Sequence, residues 1–205
     1  MRRRLACAAI LVSLAGSAYG QDLLPSGQER PVGQATELRQ SPQVDGVVQG
    51  DPAWSGVTPI TGLTQTQPNA GQPATQDTEI FFGFTDEALY TGVIAYDSEP
   101  QEIISTDTRR DSSLDDTDSV RIMIDGLLDR QNGYIFGTNP SSVEYDGQVT
   151  REGSGQFVPG GEGGFNLNWD APWQVQSAVF DGGWSSEMRI PFSSLRYGSG
   201  GEQSW

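Results

Sequence analysis

Five aspartates, Asp107, Asp111, Asp115, Asp116 and Asp118, fall within twelve consecutive positions. Hard cations such as Ca²⁺ take about six to eight oxygen ligands, which closely spaced carboxylates and loop carbonyls supply. Asp111, Asp115, Asp116 and Asp118 are therefore the candidate metal ligands, with a structural Ca²⁺ as the candidate cofactor. The competing reading is a solvated acidic loop, in which Arg109 and Arg110 offset the mutual repulsion of the carboxylates. The spacing is not that of an EF-hand, because Asp115-Asp116-Thr117-Asp118-Ser119 lacks the glycine and the closing glutamate.

Tryptophan is the second chemical resource. Sugars are held by stacking their C–H faces on exposed rings while Asp, Asn and Arg side chains fix the hydroxyls. Trp169, between Asn168 and Asp170 in a loop, is the candidate platform, and Trp173 and Tyr134 complete the candidate ligand-binding set. Trp54 and Trp184 sit in patterns that predict burial, and core packing is their expected use.

The composition removes several other chemistries. There is no histidine, the 12 basic residues are all arginine, and Cys7 is the one cysteine. Imidazole-based triads, zincin sites, lysine-bearing phosphate loops and thiolate zinc sites are excluded. A net charge of −15 repels phosphate backbones, so no nucleic-acid partner is expected. Among 27 acidic residues, pairs at glycosidase spacing arise by chance, and nothing in these polar loops predicts the raised pKa that such a pair needs. No catalytic residue is assigned. The glycine-rich stretch 157–165 reads as a flexible loop rather than a phosphate cradle.

The elements that position these residues follow from periodicity. Residues 1–20 carry Arg2, Arg3 and Arg4, then an apolar stretch, then Ala18-Tyr19-Gly20, which reads as a cleaved bacterial signal peptide. The expected destination is the periplasm, the outer membrane or the extracellular space. Cys7 leaves with the signal, so the exported chain has no disulfide. Residues 21–41 read as a polar leader or linker, and 42–205 as one domain. Period-2 alternation predicts strands over 78–84 and 89–96 as a hairpin, then 120–124, 134–138 and 143–149. Residues 173–179 and 184–190 form a second hairpin across Asp181-Gly182-Gly183, with Arg121 and Arg189 on outward faces paired to Glu187 or Glu79. Helices are confined to about one turn near 51–55, 100–104 and 192–195. The fold class is all-β: an antiparallel β-sandwich of jelly-roll or immunoglobulin-like type, with its C-terminal strands expected beyond Trp205.

A series of motifs adds to this reading. Val44-Asp45-Gly46 followed by Asp51-Pro52-Ala53-Trp54, and Ala88-Leu89-Tyr90-Thr91-Gly92-Val93, come first. Arg109-Arg110-Asp111, Asp118-Ser119-Val120, Asp129-Arg130, Asn139-Pro140, Asn168-Trp169-Asp170, Trp184 and Ile190-Pro191-Phe192-Ser193-Ser194-Leu195 follow. In this order they resemble the family-9 carbohydrate-binding modules found at the N-termini of larger exported bacterial proteins. The resemblance implies a non-catalytic β-sandwich, commonly with structural calcium, that binds a polysaccharide or oligosaccharide beside carbohydrate-degrading enzymes. It also implies a longer chain whose remainder is an outer-membrane β-barrel. Where sugar-binding members carry a tryptophan before the Asp-Ser-Val strand, Asp115 stands here. The alternative reading is therefore a structural or gating domain for such a barrel, without sugar binding.

Overall fold

In a computed structural model, the chain is described over residues 6–10, 31–105, 108–154, 164–198 and 202–204, with side chains over 31–105, 108–154 and 164–198. The strands in chain order are β1 (Ala6–Ile10), β2 (Gly33–Gln34), β3 (Thr36–Glu37), β4 (Thr78–Phe84), β5 (Ala88–Tyr96) and β6 (Val120–Ile124). They continue with β7 (Gly133–Thr138), β8 (Tyr145–Val149), β9 (Phe165–Asn166), β10 (Gln174–Phe180), β11 (Gly183–Pro191) and β12 (Glu202–Ser204). Single 3₁₀ turns at Pro52–Trp54, Pro100–Glu102 and Phe192–Ser194 fall where the sequence predicts short helices.

A five-stranded sheet in the order β10-β11-β5-β4-β3 faces a four-stranded sheet in the order β6-β7-β8-β9. Both predicted hairpins form in register: Phe84 opposes Leu89, and Phe180 opposes Gly183. Alternation puts Ile80, Phe82, Leu89, Val93, Met188 and Ile190 on the inner face of the first sheet. Ile122, Ile124, Tyr134 and Phe136 face them from the second, and one buried cluster joins the two. Full burial of each such side chain contributes about 1.5–3 kcal/mol, so this layer is the main source of stability. A small third sheet joins β1, between β12 and β2, near the leading segment.

Two features depart from the sequence reading. The stretch 21–41 is not wholly a linker, because Thr36–Glu37 pairs in parallel with Gly83–Phe84 and the Leu38 amide donates to the Phe84 carbonyl at 2.8 Å. Ala35 and Leu38 are too few to show a period, yet both are buried. The second departure is Glu187. It is not a partner for a surface arginine but is 1% exposed on the outer face of the five-stranded sheet. The segment from Leu38 to Val57 crosses that face, packing Leu38, Val48, Trp54 and Val57 against Ala88, Tyr90 and Ile94.

Glu187 clasps this segment. Its Oε2 accepts from the Asp45 and Gly46 amides, both at 3.1 Å, and its Oε1 accepts from Trp54 Nε1 at 2.8 Å. Gly46 has φ +86, and a Cβ there would lie 2.6 Å from the Ser177 carbonyl carbon, so only glycine permits this approach. Asp51 caps the turn that carries Trp54 by accepting from the Ala53 amide at 2.8 Å. The opening motif of the domain is thus a structural clasp.

Candidate functional site

The outward positions of the four-stranded sheet follow from its register. Arg121, Gly137 and Tyr145 form one cross-strand row, and Met123, Ile135 and Gly147 form the next. Inward neighbours such as Ile122, Phe136 and Asp146 are buried, so their outward partners face away from the core. β9 adds Phe165, whose ring lies on Gly147; a Cβ at that glycine would be 2.9 Å from Phe165 Cε2. With no side chain beneath it, Phe165 stacks beside Tyr145 with centroids 6.4 Å apart and planes at 24°.

Arg121 extends over Gly137 and places its Cζ 5.8 Å from the Tyr145 ring centroid, a cation–π contact. Its Nη2 donates to Asp115 Oδ1 at 2.7 Å, while its buried Nε has no hydrogen-bond partner among the described residues. The loop bearing Asp115 is held down by Leu114, which is buried against Gly137. The Arg121 hydrogen bond and charge hold the Asp115 carboxyl below its usual range. Burial raises the Tyr145 phenol despite the Arg121 charge. At neutral pH the face therefore presents two half-buried aromatic rings, a guanidinium, a protonated phenol and a carboxylate. It can stack an apolar ring face and both donate to and accept from hydroxyls.

The predicted ligand-binding residues lie elsewhere. Trp173 is 5% exposed and donates from Nε1 to Asp146 Oδ1 at 3.1 Å, so neither ring face is free to stack on a ligand. Tyr134, 7% exposed, is likewise part of the core. Trp169 is half-buried, with its centroid 4.7 Å from that of Tyr134 and its edge toward Phe136 at 6.0 Å. The structure does bring Tyr134, Trp169 and Trp173 together, but around Phe136 as core. The physical reason is that large rings gain most by burial, and the buried Asp146 satisfies the Trp173 indole. Asn168 is exposed, and Asp170 is exposed with its Oδ1 3.0 Å from Arg110 Nε.

The predicted metal ligands also disperse. Asp111 lies beside Arg110, Asp115 pairs with Arg121, and Asp118 Oδ2 accepts from the Ile104 amide at 2.7 Å. Asp116 is exposed, and Asp107 lies outside the described residues. Among the described residues no group of three or more His, Cys, Asp or Glu side chains is arranged to hold a metal ion. Asp111, Asp115 and Asp118 are engaged by arginines and a backbone amide, and Asp116 alone supplies too few oxygens for Ca²⁺. Arg110 is the centre of this region, contacting Asp111, Glu144, Asp146 and Asp170. Asp146, whose side chain is 0% exposed, also accepts from the Ala171 amide at 2.8 Å. One arginine thus ties three loops and strands together.

Sequence reasoning missed Tyr145, Phe165 and the Arg121–Asp115 pair. Alternation from the inward Asp146 could have placed Tyr145 outward, but β9 is two residues long and offers no period from which to place Phe165.

Fold and face define an all-β sandwich that carries an aromatic, hydrogen-bonding surface on one sheet. No family model matches the chain, and no characterised protein matches it in sequence. Its structure is similar to that of a carbohydrate binding module family 9 from Caldicellulosiruptor kristjanssonii in complex with cellotriose. The identity is 18% over 77% of this chain and 65% of that one, with a TM-score of 0.47. A family 9 module from the same organism in complex with glucose gives 17% identity, 79% and 69% coverage and a TM-score of 0.45. The chain thus spans about two thirds of the length of these neighbours.

Proposed function

We infer that this chain is an exported, non-catalytic carbohydrate-recognition module. Its binding face is the outward row of the four-stranded sheet. The observation that carries the reading is the Tyr145–Phe165 ring pair flanked by the Arg121–Asp115 ion pair. A sugar stacks its C–H face on the rings, and its hydroxyls bridge the guanidinium and the carboxylate, as such sites require. Export is supported by the signal-like first twenty residues.

A non-catalytic reading is supported by the two carboxyls that burial raises among the described residues. Glu187 is sealed in the core with three N–H donors, and Asp111 lies against Arg110. Among the described residues neither faces a second carboxylate across the aromatic face, as the acid-and-base pair of a glycosidase would.

Isothermal titration of the chain with a panel of neutral oligosaccharides tests the reading. Saturable binding to at least one member is expected, with affinity lowered about tenfold or more in Tyr145→Ala, by loss of one stacking ring. A folded chain that binds no member of the panel refutes it.

A further inference from the structure

The opposite face of the sandwich holds an open groove of about 610 Å³, within the roughly 300–1,000 Å³ range of small-molecule sites. Its floor is a single cross-strand row of the five-stranded sheet. Gln174 on β10 opposes Arg189 on β11, and Arg189 opposes Tyr90 on β5. At a strand spacing of about 4.8 Å the row is about 10 Å long. Ser41, Pro42 and Val44, from the segment that Glu187 clasps, form one wall. That segment covers the adjacent row, where Glu187 lies buried under Asp45 and Gly46, and packs on the Tyr90 ring, leaving the Gln174 and Arg189 part of this row open.

The floor is pre-arranged. Arg189 Nε donates to the Tyr90 hydroxyl at 3.2 Å, and its Nη2 lies 3.4 Å from Glu87 Oε2. Gln174 and Gln176 project from the same side of β10 and are both exposed. The main-chain groups of β11 and β5 are used within the sheet, while β10 is its edge strand. Over β11 and β5 recognition is therefore by side chains.

Charge and polarity narrow the ligand. Arg189 is already paired with Glu87, and Glu144 with Arg110, so the groove holds no unpaired cation for an anionic ligand. Pro42, Val44 and Val175 are the apolar lining residues, too few to hold an apolar ligand by burial. Two carboxamides, a guanidinium, a phenol and two carboxylates offer donors and acceptors in alternation. That set matches a neutral polyhydroxylated chain.

We propose that this groove is a second carbohydrate site, taking a neutral oligosaccharide across β10, β11 and β5. The proposal rests on the reading of the chain as a carbohydrate-recognition module, but it concerns a different sheet and different residues. Two sites on opposite faces would let one module bridge two glycan chains, adding avidity without new contacts at either site.

The test is titration calorimetry of the chain with neutral hexasaccharides of glucose, xylose and mannose, with tetragalacturonate as the acidic contrast. Two sites per chain are expected for a neutral probe and none for tetragalacturonate. The double variant Gln174→Ala/Gln176→Ala, altered only at exposed positions, is expected to melt like the wild type and to retain one site. Tyr145→Ala is expected to retain the other. One wild-type site that vanishes in Tyr145→Ala and is untouched in the glutamine variant overturns the groove and leaves the aromatic face standing. One site that vanishes in the glutamine variant and persists in Tyr145→Ala supports the groove and refutes the aromatic face. Groove binding by tetragalacturonate, lost in the glutamine variant, overturns the neutral-ligand assignment. No binding by any probe overturns both.

Discussion

Glu187→Ala tests the reasoning about the clasp most sharply. The substitution removes the acceptor for three N–H groups, two of them buried, on a segment 133 to 142 residues away in the chain. Removing the acceptor leaves two buried N–H donors unsatisfied at about 1–3 kcal/mol each, about 3–5 kcal/mol together. At about 2–4 °C per kcal/mol for a domain of this size, Tm falls by roughly 6–20 °C. Glu187→Gln falls by less but is not silent, because a carboxamide has one acceptor oxygen for donors that now use two. Thermal and urea melts followed by circular dichroism measure both. A loss below about 1 kcal/mol for Glu187→Ala would falsify the clasp. The pH dependence adds an independent check. Burial raises the Glu187 carboxyl above its ordinary range, outweighing the three donors that pull it down. The folded state therefore holds this proton more tightly than the unfolded chain does. Its contribution is full below the ordinary glutamate pKa and declines as pH rises through the folded value. The Tm difference between wild type and Glu187→Gln should accordingly shrink from about pH 4 towards pH 7. A difference that widens with pH contradicts the dominance of burial.

Further outcomes are expected elsewhere. Gly147→Ala puts a Cβ 2.9 Å from the Phe165 ring, so it should lower stability by about 1–3 kcal/mol and weaken glycan binding with it. A binding curve unchanged from wild type would remove Phe165 from the face. Trp173→Phe deletes the indole donor to Asp146 and should cost about 1–3 kcal/mol while leaving glycan affinity unaltered. A tenfold affinity loss in a folded Trp173→Phe chain would return that residue to the binding set. Asp116→Asn and Asp118→Asn should leave any calcium dependence of the melt as it is in the wild type, since Asp116 is exposed and Asp118 is engaged by the Ile104 amide. Loss of a calcium-induced rise in either variant would place the ion among these carboxylates.

What could be read along the chain was whatever depends on near neighbours. Alternation over Thr78–Phe84 and Gly183–Pro191 is a property of the extended backbone, so the strands, both hairpins and the inner core residues were legible from residue order. The burial of Trp54 and Trp184 was equally legible. The candidate site was not. Tyr145 becomes a platform because two glycines, Gly137 and Gly147, lie where Arg121 and Phe165 lean in, and each of these comes from a different strand. Trp169 and Trp173 look like binding residues in a linear string, but their faces meet Tyr134 and Phe136 once the sheets close. Arg121 and Arg189 were expected to find Glu187 or Glu79; they find Asp115 and Glu87 instead.

By itself the sequence determined the class of fold, the excluded chemistries and the resemblance to a carbohydrate-binding family, because composition, charge and period-2 alternation are local quantities. Tertiary structure alone decided which polar groups are sealed and which face solvent. Glu187 is a surface residue by local pattern, and becomes a buried acceptor only because a segment more than 130 residues distant folds over it. Side-chain exposure depends on what covers a face, and that covering is set by contacts between parts of the chain that no short window contains.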